Sequence, residues 1–204
     1  MKSLLTLLLV TCSLTAHAGG IDALHAFVAH SRTARAQFSQ TVYDSHGAVR
    51  QRSDGTMEFS RPGRFRWVYR APYEQVIIGD GKKIWLYDAD LAQLTIRNLD
   101  KALGSSPAAL LAGDNAIERY FTLADDGSRN GLDWLLATPR EADSSFRSIR
   151  MGFNGDELVA LDITDNFGGR TELRLQHIER NPTLPASDFR FTPPPGTDVL
   201  SDTP

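Results

Sequence analysis

Five histidines, 25 aspartates and glutamates and one cysteine carry whatever metal-binding, acid-base or nucleophilic chemistry this chain could perform. His25, His30, His46 and His177 are the four histidines beyond residue 18, and none is paired at a metal-ligand spacing such as His-Glu-x-x-His. Asp88, Asp90 and Asp100 lack the glycine and the closing glutamate of a calcium loop. Gly79-Asp80-Gly81-Lys82 has the flavour of a phosphate loop, but the Gly-x4-Gly-Lys-Ser/Thr spacing is absent and no helical pattern follows, so it reads as a turn between strands. There is no Gly-x-Ser-x-Gly elbow, and nothing in the order of the carboxylates singles out a pair for acid-base work. The expectation is a protein that is not an enzyme and holds no metal or cofactor.

The N-terminus carries a different kind of information. Lys2 supplies a positive charge, residues 4–14 are largely apolar, and Ala16-His17-Ala18 is a small-x-small cleavage site. This is the pattern of a signal peptide cut after Ala18, which implies export. The apolar run is about half the roughly 20 residues needed to span a bilayer. Cys12 raises the alternative of an acylated lipoprotein, but Thr11 is bulkier than the residue that usually precedes such a cysteine. Cleavage after Ala18 leaves 186 of the 204 residues, removes the only cysteine, and moves the formal charge from −3 to −4. That length suits a single domain over 19–204 whose fold rests on packing without disulfides. The acidic balance argues against a nucleic-acid partner.

The elements that must position any functional side chain are mostly strands. Ile21, Leu24, Phe27 and Val28 recur at helical spacing and predict a first helix running to about Arg35. The period then becomes two: residues 37–44 and 56–60 alternate, and Phe65, Trp67 and Tyr69 face away from Arg64, Arg66 and Arg70. Strands follow over 74–79 and 83–87, joined at Asp80-Gly81, and over 91–98. Ser106 as cap and Pro107 in the first turn open a short apolar helix over 107–112, and a further helical turn covers 116–120. Strands resume over 121–124, 132–138, 146–153, 157–165 and 170–179, with Asp126-Gly127, Asn154-Gly155 and Gly168-Gly169 as turns. About eleven strands interrupted once by a small helical piece indicate a mainly β fold, a strongly curved antiparallel sheet or partial barrel. The tail, with prolines at 193 to 195, belongs along an edge. Large apolar groups at Trp67 and Val68, Trp85 and Leu86, and Leu135 and Leu136 put bulk on both faces of their strands. Composition does not separate a second filled core from a cavity.

One set of residues resembles a known family nearly throughout the mature chain: Phe38-Ser39-Gln40, Gly55, Arg61-Pro62-Gly63-Arg64-Phe65-Arg66-Trp67, Pro72, Asp80-Gly81-Lys82-Lys83-Ile84-Trp85-Leu86-Tyr87, Gln93, Ser106-Pro107 and Phe189-Arg190-Phe191-Thr192-Pro193-Pro194. In this order they resemble the outer-membrane lipoprotein carrier family (LolA). The resemblance implies an incomplete antiparallel barrel whose hydrophobic cavity is covered by short helices. It implies a periplasmic monomer that takes acylated lipoproteins from an inner-membrane ABC-type releasing complex and passes them to an outer-membrane receptor lipoprotein. It also implies a latch at Arg61, held beside a turn set by Pro62, that bonds lid backbone when the carrier is empty. Phe65, Trp67 and Trp85 are the candidates for the cavity wall, and Leu110 and Leu111 for the lid. The segment 107–112 departs from the family in being alanine-rich and lacking an aromatic. Related readings of the same fold are a lipid-anchored lipoprotein receptor and an envelope lipoprotein-sensing module.

Overall fold

The computed structural model describes residues 19–99, 111, 117–141 and 144–201. The expected signal peptide with its cleavage after Ala18, the short helix over 107–112 apart from Leu111, and the candidate lid residue Leu110 lie outside the described residues.

The chain opens with α1 (Gly20–His30) and continues through β1 (Thr33–Tyr43), β2 (Val49–Ser60), β3 (Arg64–Ala71), β4 (Gln75–Asp80), β5 (Lys83–Asp88) and β6 (Gln93–Asn98). After a single helical turn, α2 (Ile117–Tyr120), come β7 (Phe121–Arg129), β8 (Leu132–Pro139), β9 (Phe146–Asn154), β10 (Glu157–Asp165) and β11 (Arg170–Arg180). A 3-10 turn (Ala186–Phe189) and a short β12 (Asp198–Ser201) end the described chain. All twelve strands form one open sheet in the order β12-β6-β5-β4-β3-β2-β1-β11-β10-β9-β8-β7. The eleven strands expected from the alternation are all present. The twelfth comes from the proline-rich tail, which does lie along an edge but pairs parallel to β6.

The end of the first helix and the β7–β8 turn differ from expectation. The first helix stops at His30, because Ser31 is already extended and the alternation of Ala34, Ala36 and Phe38 belongs to β1. Asp126-Gly127 is not a turn: it forms a bulge inside β7, where the pairing with β8 shifts between Asp125 and Ser128. The reversal is made by Asn130 and Gly131, both at positive φ (55° and 76°), the combination a two-residue hairpin turn requires.

The sheet is bent hard enough for its concave face to close on itself. Phe27 of α1 reaches both Phe59 of β2 (6.0 Å between ring centroids) and Phe153 of β9 (6.2 Å), two strands four places apart in the sheet. One continuous apolar cluster therefore joins α1, β1–β3, β5 and β7–β11. Gly20 is what allows α1 to lie so close, since a Cβ there would sit 2.5 Å from the backbone of Trp134. The start of α1 is capped from across the fold, the Ile21 N–H donating to Asp125 Oδ1 at 2.9 Å.

The outer face carries a second, smaller core. Ile78, Leu94 and Phe189 are buried yet stand outside the concave cluster. The 3-10 turn brings Phe189 onto β3 and β4, Phe191 stacks against Tyr87 at 5.2 Å, and the tail thus covers this side of the sheet.

Candidate functional site

Arg61 follows Phe59 by two residues, so its side chain turns to the same concave face just as β2 ends. There its guanidinium lies between two aromatic rings, 4.8 Å from the Phe27 centroid and 4.7 Å from that of Phe59. A cation so placed is attracted by the negative ring faces. Nη1 donates to the Ser31 carbonyl, and Nη2 donates to the Leu111 carbonyl at 2.9 Å. Its own backbone N–H donates to Arg32 O at 2.9 Å. One side chain thus ties the C-terminal end of α1 to the segment between β6 and α2. The carbonyl end of a helix is also the negative end of its dipole, which favours a cation there. Burial pushes the Arg61 pKa down to about 10, and the guanidinium remains charged at neutral pH.

The α1 half of this connection is rigidly held. Asn181, at the end of β11, accepts from the Arg32 N–H at 2.9 Å and donates to the His30 carbonyl at 2.8 Å. Asp156, in the β9–β10 turn, accepts from His30 at 3.0 Å and from Arg180 at 2.9 Å. The other half is Leu111, which is buried in the concave cluster. Leu99 packs 3.0 Å from the Cβ position of Gly63 in the Arg61-Pro62-Gly63 turn, so Leu99 and Leu111 both lie at this end of β2.

Hydrogen bonds from the Arg180 guanidinium and from His30 hold the Asp156 carboxyl well below the usual carboxylate range. A depressed folded-state pKa contributes stability that is present above the unfolded value of 3.8 and is lost as pH falls through the folded value. Asp156→Asn should therefore be less stable than the wild type at neutral pH, with the difference shrinking as pH drops below about 4. Urea unfolding of both proteins across that range checks it.

Of the wall candidates, Phe65 and Trp67 lie on the concave face and are buried. Phe65 rests on Gly79, where a Cβ would come within 2.3 Å of its ring. Trp67 packs on Phe38 at 4.8 Å, and Phe38 in turn meets Tyr69 edge-on at 5.1 Å. Trp85 is on the other side of the sheet. It pairs with Ile78 and Ile96, whereas its neighbour Ile84 pairs with Gly79 and joins the concave cluster. The Trp85 indole donates to Asp80 Oδ2 at 2.8 Å, fixing the β4–β5 turn beneath the tail. Pro62 sits in the turn after Arg61 with a cis Arg61–Pro62 peptide. Phe27, Phe59 and Ser31 complete the Arg61 site and were not singled out from sequence; the register of Phe59, two residues before Arg61 on one strand face, was the available signal. Among the described residues no group of three His, Cys, Asp or Glu side chains could hold a metal ion, and no helix is long and apolar enough to cross a membrane.

A sequence profile of the family described as "Outer membrane lipoprotein carrier protein LolA" matches residues 29–192. An outer-membrane lipoprotein carrier protein of Dechloromonas aromatica is 49% identical over 189 residues, 93% of this chain and 91% of the relative. One from Neisseria meningitidis is 44% identical over 199 residues, 95% of each. Among solved structures, an uncharacterized conserved protein of Thermus thermophilus aligns with a TM-score of 0.56 at 12% identity, over 89% of this chain and 96% of that one. A LolA superfamily protein of Nitrosomonas europaea aligns with a TM-score of 0.50 at 9% identity, over 86% and 99%. These two share the fold.

Proposed function

Because the chain belongs to the outer-membrane lipoprotein carrier family (LolA), we propose that it is a periplasmic carrier whose concave face shelters the acyl chains of lipoproteins and whose lid is latched by Arg61. It is a chaperone in transport, not an enzyme. The observation that supports the latch is the single guanidinium donating to Ser31 just after α1 and to Leu111 on the facing segment.

The physical need for such a vessel follows from the guest. An acyl chain loses about 0.8 kcal/mol per methylene exposed to water, so a triacylated lipoprotein would face a cost on the order of 30 kcal/mol in an aqueous compartment. The carrier must offset most of that and still release its guest. Aromatic and aliphatic side chains on the concave face supply the burial: Phe38, Met57, Phe65 and Trp67 from one half of the sheet, Leu161, Ile163 and Leu173 from the other. Release comes from the latch. Entry of acyl chains beneath the segment carrying Leu111 breaks the Arg61 bonds, and their recovery favours the empty state. The guest moves this equilibrium only by its differential affinity for the open form.

In this reading the mature chain begins at Gly19 and works as a monomer, receiving lipoproteins from an inner-membrane ABC-type releasing complex and delivering them to an outer-membrane receptor lipoprotein. Mass spectrometry of the protein purified from the producing cell separates carrier from receptor. A free N-terminus at Gly19 is expected, whereas an acylated Cys12 would indicate an anchored receptor. Co-expression with a lipoprotein tests the cargo: the acylated form should co-purify, and a form whose acylated cysteine is replaced by serine should not. Equal recovery of both would show that acyl chains are not what is bound.

A further inference from the structure

Trp67 is buried to 4% exposure on the concave face, and its indole Nε1 makes no well-formed hydrogen bond, having only a weak contact with the Tyr69 hydroxyl. Buried tryptophans usually find an acceptor, because a stranded N–H forfeits the bond it made to water. A phenylalanine could keep the contact with Phe38 without that cost, so packing alone does not account for an indole here.

Its surroundings are the polar part of an otherwise apolar wall. The Tyr69 hydroxyl lies beside the indole N–H and donates to Gln40 Oε1 at 3.1 Å. Burial pushes the Tyr69 pKa up to about 12, so the hydroxyl stays a neutral donor and acceptor. Gln40 pairs across the strands with Ser53, itself buried, and Gln51 Nε2 donates to the Ser53 hydroxyl at 2.9 Å. Toward Arg61 the concave face of the same strands is apolar, with Ala34, Ala36, Met57, Phe59 and Phe65. Polarity therefore changes along β1–β3 between Trp67 and Tyr69, and an indole donor without a well-formed bond stands at that boundary.

We propose that the Trp67 indole N–H, with the Tyr69 hydroxyl beside it, receives the carbonyl at the head of a guest acyl chain, ester or amide, while the chain itself lies along the apolar side of the boundary. This assignment rests on the reading of the concave face as the acyl-binding surface. It makes the wall selective for acyl chains over plain alkyl chains and sets how deep the guest sits.

The test compares three probes on the mature protein: dioctanoylglycerol, its diether analogue lacking both carbonyls, and an N-octanoyl amide. Binding of each is measured by calorimetry, and the indole N–H resonances of the three tryptophans by NMR. The Trp67 resonance should move downfield with a carbonyl probe and stay in place with the diether. Movement with the diester or with the amide alone identifies which linkage is read. In Trp67→Phe, the affinity ratio of diester to diether should fall by roughly three- to tenfold relative to the wild type, the worth of one hydrogen bond. Should that variant not fold, the wild-type indole resonance decides the matter unaided. Probes that bind without moving the Trp67 resonance would overturn the carbonyl site and leave the carrier reading standing. Failure of every probe to bind would overturn both.

Discussion

Arg61→Leu should still take up lipoprotein but fail to deliver it, with transfer to the receptor falling on the order of 100-fold. In the wild type the guanidinium makes two charge-assisted bonds to carbonyls of separate elements and lies between Phe27 and Phe59. Bonds of this kind contribute about 1.5–3 kcal/mol each, and closing the lid recovers them only when no guest lies beneath it. Holding a charge in this apolar setting has its own cost, as the lowered Arg61 pKa shows. Leucine removes both terms. The fold should therefore tolerate it, since the side chain still packs on the two rings, while the bias toward the closed, empty state is lost. Losing about 3 kcal/mol of that bias shifts the balance by roughly two powers of ten. Arg61→Lys should restore delivery only in part, because an ammonium is a point charge without the planar fork that spans two carbonyls. A pull-down transfer assay with purified receptor reads both. Delivery by Arg61→Leu at the wild-type rate would remove the latch.

Gly55→Ala carries the largest expected effect on stability. A Cβ at this position would lie 1.8 Å from the Val68 carbonyl oxygen and 2.8 Å from the Phe38 ring. The first contact is with backbone, so no side-chain rotation relieves it. The pairing of β2 with β3 also shifts register here, Asp54 facing Ala71 and Gly55 facing Tyr69, so the methyl group would intrude where the sheet already bends. The cost should be about 3 kcal/mol or more, a Tm lower by on the order of 10 °C. Guest affinity should fall as well, because Phe38 is the platform on which Trp67 and Tyr69 rest. Differential scanning calorimetry and the probe titration check the two parts separately; an unchanged Tm would mean that β2 and β3 are not as closely apposed as described.

The strands were legible because each buries one face. Period-two alternation is the direct imprint of that, and the hairpins at Asp80-Gly81 and Asn154-Gly155 fell where positive backbone angles were needed. Alternation does not say which face is which. Phe65 and Trp85 are both large aromatics on strands separated only by β4, yet only register places the first on the concave face and the second on the outer face. That the outer face has its own apolar cover depends on Phe189 and Phe191, about a hundred residues downstream of Trp85 and without any periodic signal. Asp126-Gly127 and Asn130-Gly131 are equally good turn dipeptides; the choice went to the second because β7 runs on past its bulge to pair Arg129 with Leu132. Arg61 itself reads locally as an exposed arginine before a turn. Its bonds to Ser31 and Leu111 arise only when the curvature of the sheet brings the end of α1 and Leu111 to the end of β2, a long-range consequence that no window of sequence contains.

The central claim is that this protein takes lipoproteins out of a membrane and holds them in solution, and its most direct test is to add the purified mature chain to spheroplasts. Lipoproteins with intact acyl chains should appear in the soluble fraction in proportion to the carrier added, each in complex with one copy of it. If they stay with the membrane while the added protein remains folded and soluble, the carrier account is wrong.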